Sequence, residues 1–249
     1  MVWVFSWRAE VRPGVWVAFT DAAAGNLALH VGDDATEVAR RRRALESALE
    51  LGGRRFQYMN QVHGNDVAVV GAAAGGPGGA PAAGGPTADA LVSLGDPLAV
   101  LVADCVPVVL VGERAGGPDP VLAVVHAGRP GVASGIVPVA VARMRELGAS
   151  ALRAWIGPSV CGRCYEVPAR MRDDVASLVP AARCTTSRGT PGLDLPAAVH
   201  SQLRDAGVTV EYSGACTLED TKLFSYRRDQ DTGRFAGLVW THAAAVPDE

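Results

Sequence analysis

Short β-branched runs bounded by turn residues dominate the middle of the chain. Residues 103–110 (A-D-C-V-P-V-V-L) and 121–128 (V-L-A-V-V-H-A-G) are each too short for a buried helix and the right length for a buried strand. Between them lies Gly116-Gly117-Pro118-Asp119-Pro120, a turn sequence. The two runs are predicted to pair as a hairpin. Reflection about the loop then puts Cys105 and His126 side by side at its open end, with Asp104 next to them.

The flanking pattern predicts further elements. Residues 2–5 and 15–19 read as strands separated by the Arg12-Pro13-Gly14 turn, and residues 25–34 as a polar loop. A helix is predicted over about 36–51, with Val38, Leu45 and Leu49 on one face and Gly52-Gly53 ending it. Of Arg40 to Arg43 inside that helix at most two can point inward, so most form its solvated face. Residues 55–62 alternate (Phe56, Tyr58, Asn60, Val62) and read as a strand ending at a corner that carries His63. Strand resumes over 67–70. An Ala/Gly/Pro segment at about 71–86 is predicted to be a flexible loop inserted within a domain, because strand-like residues 88–93 follow at once.

After the hairpin, helices are predicted over 134–147, 168–178 and 195–206. Ser134 and Asp194 act as caps, Gly148 and Gly207 as stops. Residues 157–166 form a loop, and 152–156, 208–212 and 235–240 read as strands. Strands and helices alternate only loosely and several strands adjoin as hairpins, so the fold class is α+β with a mixed sheet.

Composition narrows the function classes. The 249 residues can bury a sizeable core, and 49% apolar with 20% charged residues is ordinary globular usage. A net charge of −3 gives no basic footprint for nucleic acid and no excess for a membrane surface. Residues 1–10 carry no cationic segment followed by an apolar core, so no signal peptide is expected. Asp104 interrupts the longest apolar stretch, which falls short of the ~20 residues of a membrane span. Five cysteines, an odd number, do not read as a disulfide framework; a cytosolic chain with reduced thiols is expected.

Cys161-x-x-Cys164 is the most conspicuous pair. A structural zinc would need two further ligands, for which Cys184 and Cys216 lack the spacing, and a thioredoxin-type pair would need a helix to start sooner. Neither role is expected. Phosphate-loop, dinucleotide-loop, H-E-x-x-H and G-x-S-x-G motifs are absent. What remains is Cys105 with His126, and His63 at another strand end. One thiolate and two imidazoles leave the fourth tetrahedral position open, as in a catalytic zinc site that lowers the pKa of a bound water toward ~7. Without metal, the same residues make a Cys-His nucleophile pair. Chemistry alone does not choose.

Beyond these residues, N-Q-V-H-G at 60–64, A-D-C-x-P-V at 103–108 and V-H-A-G at 125–128 resemble a bacterial family. It is the multicopper-polyphenol-oxidase or laccase-domain family, also known as peptidoglycan editing factor and as purine nucleoside phosphorylase. Further matches run through nearly the whole chain in order, among them Asn26-Leu27, residues 30–34, 88–93, 164–167 and 224–229, and Thr232-Gly233-Arg234. The resemblance implies one domain over 1–249 with an α/β/β/α-type sandwich, and a zinc held by His63, Cys105 and His126. It implies phosphorolysis of adenosine, inosine, guanosine and methylthioadenosine, with deamination of adenosine. The laccase label implies copper, but a trinuclear copper site needs many more histidines than five scattered ones.

The chain departs from the family pattern H-A-G-W-R-G at His126-Ala127-Gly128-Arg129-Pro130-Gly131, and it has Arg41 where the family tends to have asparagine. The expected function is a zinc enzyme acting on purine nucleosides and phosphate, with no nucleic acid, membrane or identifiable protein partner. Asp104 is the candidate to support a ligand or move a proton. Asn26, His30, Gln61, Arg129 and Arg228 are candidates for contacting ribose, base or phosphate. The plainer roles are a surface ion pair for Arg228 and loop-fixing hydrogen bonds for Asn26 and Gln61. Two other classes remain: a metal-free cysteine hydrolase or peptidoglycan-related amidase using Cys105 and His126, and a non-catalytic member that binds a partner.

Overall fold

The computed structural model describes residues 4–71, 85–114, 117, 119–212 and 214–242. The predicted hairpin is present as β6 (Val106–Arg114) and β7 (Val121–Ala127), antiparallel and buried almost throughout. It is the centre of a six-stranded mixed sheet. β8 (Ala149–Ile156) and then β11 (Thr209–Tyr212) flank it on one side, and β4 (Ala90–Leu94) and then β3 (Val67–Val69) on the other. A four-stranded antiparallel sheet runs in the order β1 (Phe5–Arg12), β2 (Val15–Thr20), β12 (Phe235–Thr241), β5 (Leu98–Val102).

Three apolar layers account for the sandwich. Helices α3 (Ile136–Glu146) and α5 (Leu195–Asp205), with Val175 of α4 (Ala169–Leu178), cover one face of the six-stranded sheet. The opposite face packs against the four-stranded sheet through Val17, Phe19, Val100, Val109, Leu122, Val124 and Phe235. The outer face of the smaller sheet packs Ala18, Leu238 and Trp240 against Leu45 of α1 (Ala35–Ala48). This is the expected α/β/β/α arrangement. Because β6 and β7 are covered on both faces, they read as continuous apolar runs and not as alternating ones.

The strand period of two positions the chemistry. On β7, Val121, Ala123, Val125 and Ala127 face the helices, whereas Leu122 and Val124 face the other sheet. His126 continues the inter-sheet row, and Cys105 continues the row of Val109 and Val111 on β6. The register differs from the mirror pairing: Pro107 lies opposite His126, because the hairpin's centre falls one residue further along its loop. A two-residue displacement keeps every side chain on its face, so Cys105 and His126 still converge.

Several expectations are corrected. The first strand is Phe5–Arg12; of the predicted residues 2–5, 2 and 3 lie outside the described residues. Its alternation of half-buried Phe5, Trp7, Ala9 and Val11 with exposed residues is the pattern of an edge strand. Residues 55–62 form no strand but only bridges, Gln57 to Leu98 and Asn60 to Thr87. There the Gln61 side chain takes over the ladder, donating to the Leu101 carbonyl at 2.7 Å and accepting the Leu101 amide at 3.0 Å. The helix expected over 134–147 is present as α3, Ile136–Glu146, and an unpredicted short helix precedes it. Arg129–Ala133 forms a short α2 with Pro130 in its first turn, and Gly135 at φ 81° reverses the chain before α3. Ser134 closes α2 by donating to the Gly131 carbonyl and does not cap α3. β5 and the small hairpin of β9 (Arg183–Thr185) and β10 (Pro191–Leu193) were not predicted. Residues 72–84 of the Ala/Gly/Pro segment lie outside the described residues.

Two of the four helix arginines do point inward. Arg41 bonds Asp33 and the Asn26 carbonyl. Arg42 donates twice to the Leu27 carbonyl, at 2.9 and 2.7 Å, and lies 3.6 Å from the Tyr58 ring centroid. These bonds fix the 26–33 loop against the helix. Arg42→Ala leaves the buried Leu27 carbonyl without its charged donor and should cost about 2 kcal/mol, read as a lower urea midpoint at unchanged slope. An unchanged midpoint would show that the loop holds without it.

Candidate metal centre and its pocket

His63, Cys105 and His126 offer donor atoms that all lie within 4.8 Å of one another. Cys105 Sγ is 3.8 Å from His63 Nε2, and the two imidazole rings meet edge-on at 4.6 Å between centroids. His63 sits at φ 63°, a left-handed conformation that costs roughly 1–2 kcal/mol for a residue with a Cβ. It is held there by Asp89. The Asp89 carboxylate accepts the amides of Val62, His63 and Gly64 at 3.3, 2.9 and 2.6 Å. It also accepts His126 Nδ1–H at 2.8 Å, which leaves Nε2 of a neutral His126 as the lone-pair donor. Cys105 follows Asp104, itself at φ 85°, at the corner into β6. Gly128 closes the cradle: a Cβ there would come within 2.6 Å of His63 Cδ2 and 3.3 Å of Cys105 Sγ.

The electrostatics are those of an ion pair. Burial alone would raise the Cys105 pKa, but the His126 and His63 imidazoles together outweigh it and draw the thiol down to about 6. Burial opposes charge on His126 too, yet the Cys105 thiolate and the Asp89 carboxylate raise it to about 9. Asp89 is buried, which raises its pKa, but His126 and the amides hold it below the ordinary carboxylate range. One thiolate and two imidazoles suit zinc with an open fourth position. The five histidines of the chain are too few for a trinuclear copper cluster beside these ligands.

The three groups form the floor of a pocket of about 450 Å³, within the range of small-molecule sites. Three cations line it, Arg129, Arg227 and Arg234, together with Tyr165 and Tyr226. The Arg227 guanidinium lies 4.2 Å from the Tyr165 ring centroid. His30 also lines the pocket; burial and then the nearby Arg234 charge hold its pKa below the usual value.

The other sequence candidates divide. Gln61 lines the pocket, but its amide is spent on Leu101. Asn26 lies outside the pocket lining; it binds Ala28, Asp33 and the Arg234 amide, fixing its loop. Among the described residues Arg228 makes no ion pair and is not part of this pocket's lining: its guanidinium gathers the carbonyls of Thr217, Leu218, Asp220 and Leu223. Asp104 accepts Thr217 Oγ1–H at 2.6 Å and the Arg227 amide at 2.7 Å, so both its oxygens hold the pocket wall. The carboxylate that hydrogen-bonds a candidate ligand, His126, is Asp89, which sequence reasoning missed, as it missed Arg227 and Arg234 in the pocket lining. Their only signals were membership in the matched segments 88–93, 224–229 and 232–234. The expectation that Cys161 and Cys164 lack partners is also corrected, because Cys216 and Glu219 bring donor atoms within 4.8 Å of theirs.

A family model described as multi-copper polyphenol oxidoreductase laccase matches residues 11–242. The chain belongs to this family. A purine nucleoside phosphorylase of Streptomyces coelicolor is 47% identical over 241 residues, covering 91% of this chain and 96% of that protein. One of Streptomyces griseus is 46% identical over 246 residues, covering 93% of this chain and 96% of that protein. The crystal structure of YlmD from Geobacillus stearothermophilus is similar with a TM-score of 0.80 and 32% identity, covering 96% of this chain and 99% of that one. Among the described residues of this family member, no helix is long and apolar enough to cross a membrane.

The ion pair predicts a reactive thiol in metal-free protein. Because the Cys105 pKa is lowered, its thiolate persists as pH falls until about pH 6. Alkylation of Cys105, followed by peptide mass, should therefore lose rate with an inflection near that pH and not near the ~8.5 of an ordinary thiol. An inflection at or above pH 8 would remove the ion pair from this account.

Proposed function

We propose that this chain is a single-domain, cytosolic, zinc-dependent purine nucleoside phosphorylase that also deaminates adenosine. The observation that carries the reading is a Cys-His-His donor set on the floor of a pocket lined by Arg129, Arg227 and Arg234. The similarity to relatives named purine nucleoside phosphorylase supports it. The donor set fits zinc by ligand type, number and supporting carboxylate. His63, Cys105 and His126 would hold the ion. When bound, it supplies a Lewis acid for charge building on a substrate atom.

The chain's own residues account for the rest. In phosphorolysis a phosphate oxygen bonds to the ribose anomeric carbon as the carbon–nitrogen bond breaks, and its electron pair leaves with the purine. Positive charge develops on the ribose and negative charge on the base, so both need a counter-charge. The three arginines bind the phosphate dianion, and the dianion faces the ribose. Tyr165 and Tyr226 offer ring faces and hydroxyls to the nucleoside. His30, kept neutral by burial and by Arg234, donates its ring N–H as a hydrogen bond to a ring nitrogen of the departing purine, which takes up its proton from water. Deamination needs no phosphate, so the two activities should separate.

Three outcomes are expected. Cys105→Ser and His126→Ala should each lose one equivalent of zinc while keeping the fold, because both lie at strand ends where the apolar layer stops; full occupancy in both would sink the ligand assignment. Wild type should release purine base and ribose 1-phosphate only with phosphate present. Arg129→Ala should raise the phosphate KM by at least ~10-fold, the ~1.4 kcal/mol of one charge-assisted contact, and spare deamination. An unchanged phosphate KM leaves Arg129 as a space-filling residue. A wild type that cleaves no nucleoside with phosphate rejects the reading in favour of the cysteine hydrolase.

A further inference from the structure

A second set of donors lies at the edge of the pocket wall. β8 and β11 are parallel neighbours with Ile156 opposite Tyr212, so the loops that leave them start at the same end of the sheet. They stay paired: the Ser159 amide donates to the Ala215 carbonyl and the Thr217 amide to the Ser159 carbonyl, both at 3.1 Å. This brings Cys216 against the Cys161-x-x-Cys164 turn, which is closed by the Cys164 amide on the Cys161 carbonyl at 3.0 Å. The Cys161 amide donates to Cys216 Sγ at 3.4 Å, a contact that suits a thiolate. Glu219 completes the group, its Oε1 lying 3.4 Å from Cys164 Sγ.

We propose that Cys161, Cys164, Cys216 and Glu219 form a second, structural site for a thiophilic dication of the zinc type. All four donor atoms lie within 4.8 Å of one another, and Cys216 is buried while Cys161 and Cys164 are half-buried. Around a zinc with Zn–S of about 2.3 Å, tetrahedral donors stand about 3.8 Å apart. The cage therefore closes by movements of under about 1 Å, most readily at exposed Glu219. Three thiolates and a carboxylate are a four-ligand set with no open position, which marks a structural site and not a catalytic one. Arg163, 3.4 Å from Glu219, offsets part of the excess negative charge. The ion would tie together the two loops that carry Val160, Tyr165 and the Thr217 partner of Asp104 into one wall of the pocket.

The test uses full-length protein purified without chelator. Cys105→Ser, which lacks the first site, should retain one zinc per chain that is released on thiol modification. Cobalt loaded into wild type should show thiolate charge-transfer absorption from four thiolates. The double substitution Cys161→Ser and Cys164→Ser should lose one zinc equivalent and cut that absorption to about a quarter. Glu219→Gln, at an exposed position, should fold normally and bind the second zinc at least 10-fold more weakly. The proposal is overturned if Cys105→Ser holds no zinc and its four remaining thiols react freely. A Cys161–Cys164 disulfide in reductant-free protein, or an unchanged metal count in the double variant, overturns it equally.

Discussion

The site rests on one buried carboxylate. Asp89 has no exposed surface, and an ionised carboxylate there is costly unless its oxygens are fully engaged. Four donors engage them: three consecutive amides from residues 62–64 and Nδ1–H of His126. The same contacts that solvate the charge hold His63 in a left-handed conformation and select the tautomer of His126. The Asp89 backbone adds to this, its carbonyl accepting the His126 amide at 2.8 Å. One side chain thus fixes two of the three candidate ligands from two separate segments. The third, Cys105, is supplied by the hairpin.

From that anchor the remaining geometry follows by strand periodicity and sandwich edges. The inter-sheet row of β6 and β7 ends in Cys105 and His126, where the apolar layer stops and a cavity opens. Leu101 and Val102 at the end of β5 bring the second sheet to the same rim. Loops returning from β8 and β11 add Tyr165, Tyr226, Arg227 and Arg234, steadied by Asp104 and by the carbonyl clamp of Arg228, and Arg129 enters from α2 after β7. Arg129, Arg227 and Arg234 therefore line the same pocket as the three donor side chains.

How much of this was legible depends on separation along the chain. Cys105 and His126 could be brought together because one hairpin joins them, and even a register misplaced by two kept them on one face. His63 is a lone corner histidine in sequence and became a ligand candidate only through the chemistry of a three-donor set and the family resemblance. Asp89 was hidden among strand residues while Asp104, adjacent to Cys105, drew attention; the left-handed turn at Asp104 sends its oxygens to Thr217 and Arg227. Arg227 and Arg228 are neighbours that point in opposite directions, one into the pocket and one into a loop of carbonyls. Cys216 meets Cys161 through parallel strands 55 residues apart, a pairing no local spacing reveals. The helices were readable, since apolar periodicity and caps such as Asp194 on Ala197 are local, whereas the layer order came from the family resemblance.

The measurement that tests the central claim most directly is the zinc affinity of Asp89→Asn. Asparagine keeps the shape and one acceptor but removes the charge and the full set of amide contacts. The account predicts affinity at the His63–Cys105–His126 site weakened by about 10- to 100-fold, with circular dichroism unchanged. An affinity within two-fold of wild type would contradict it, leaving the ligands positioned by the strands alone.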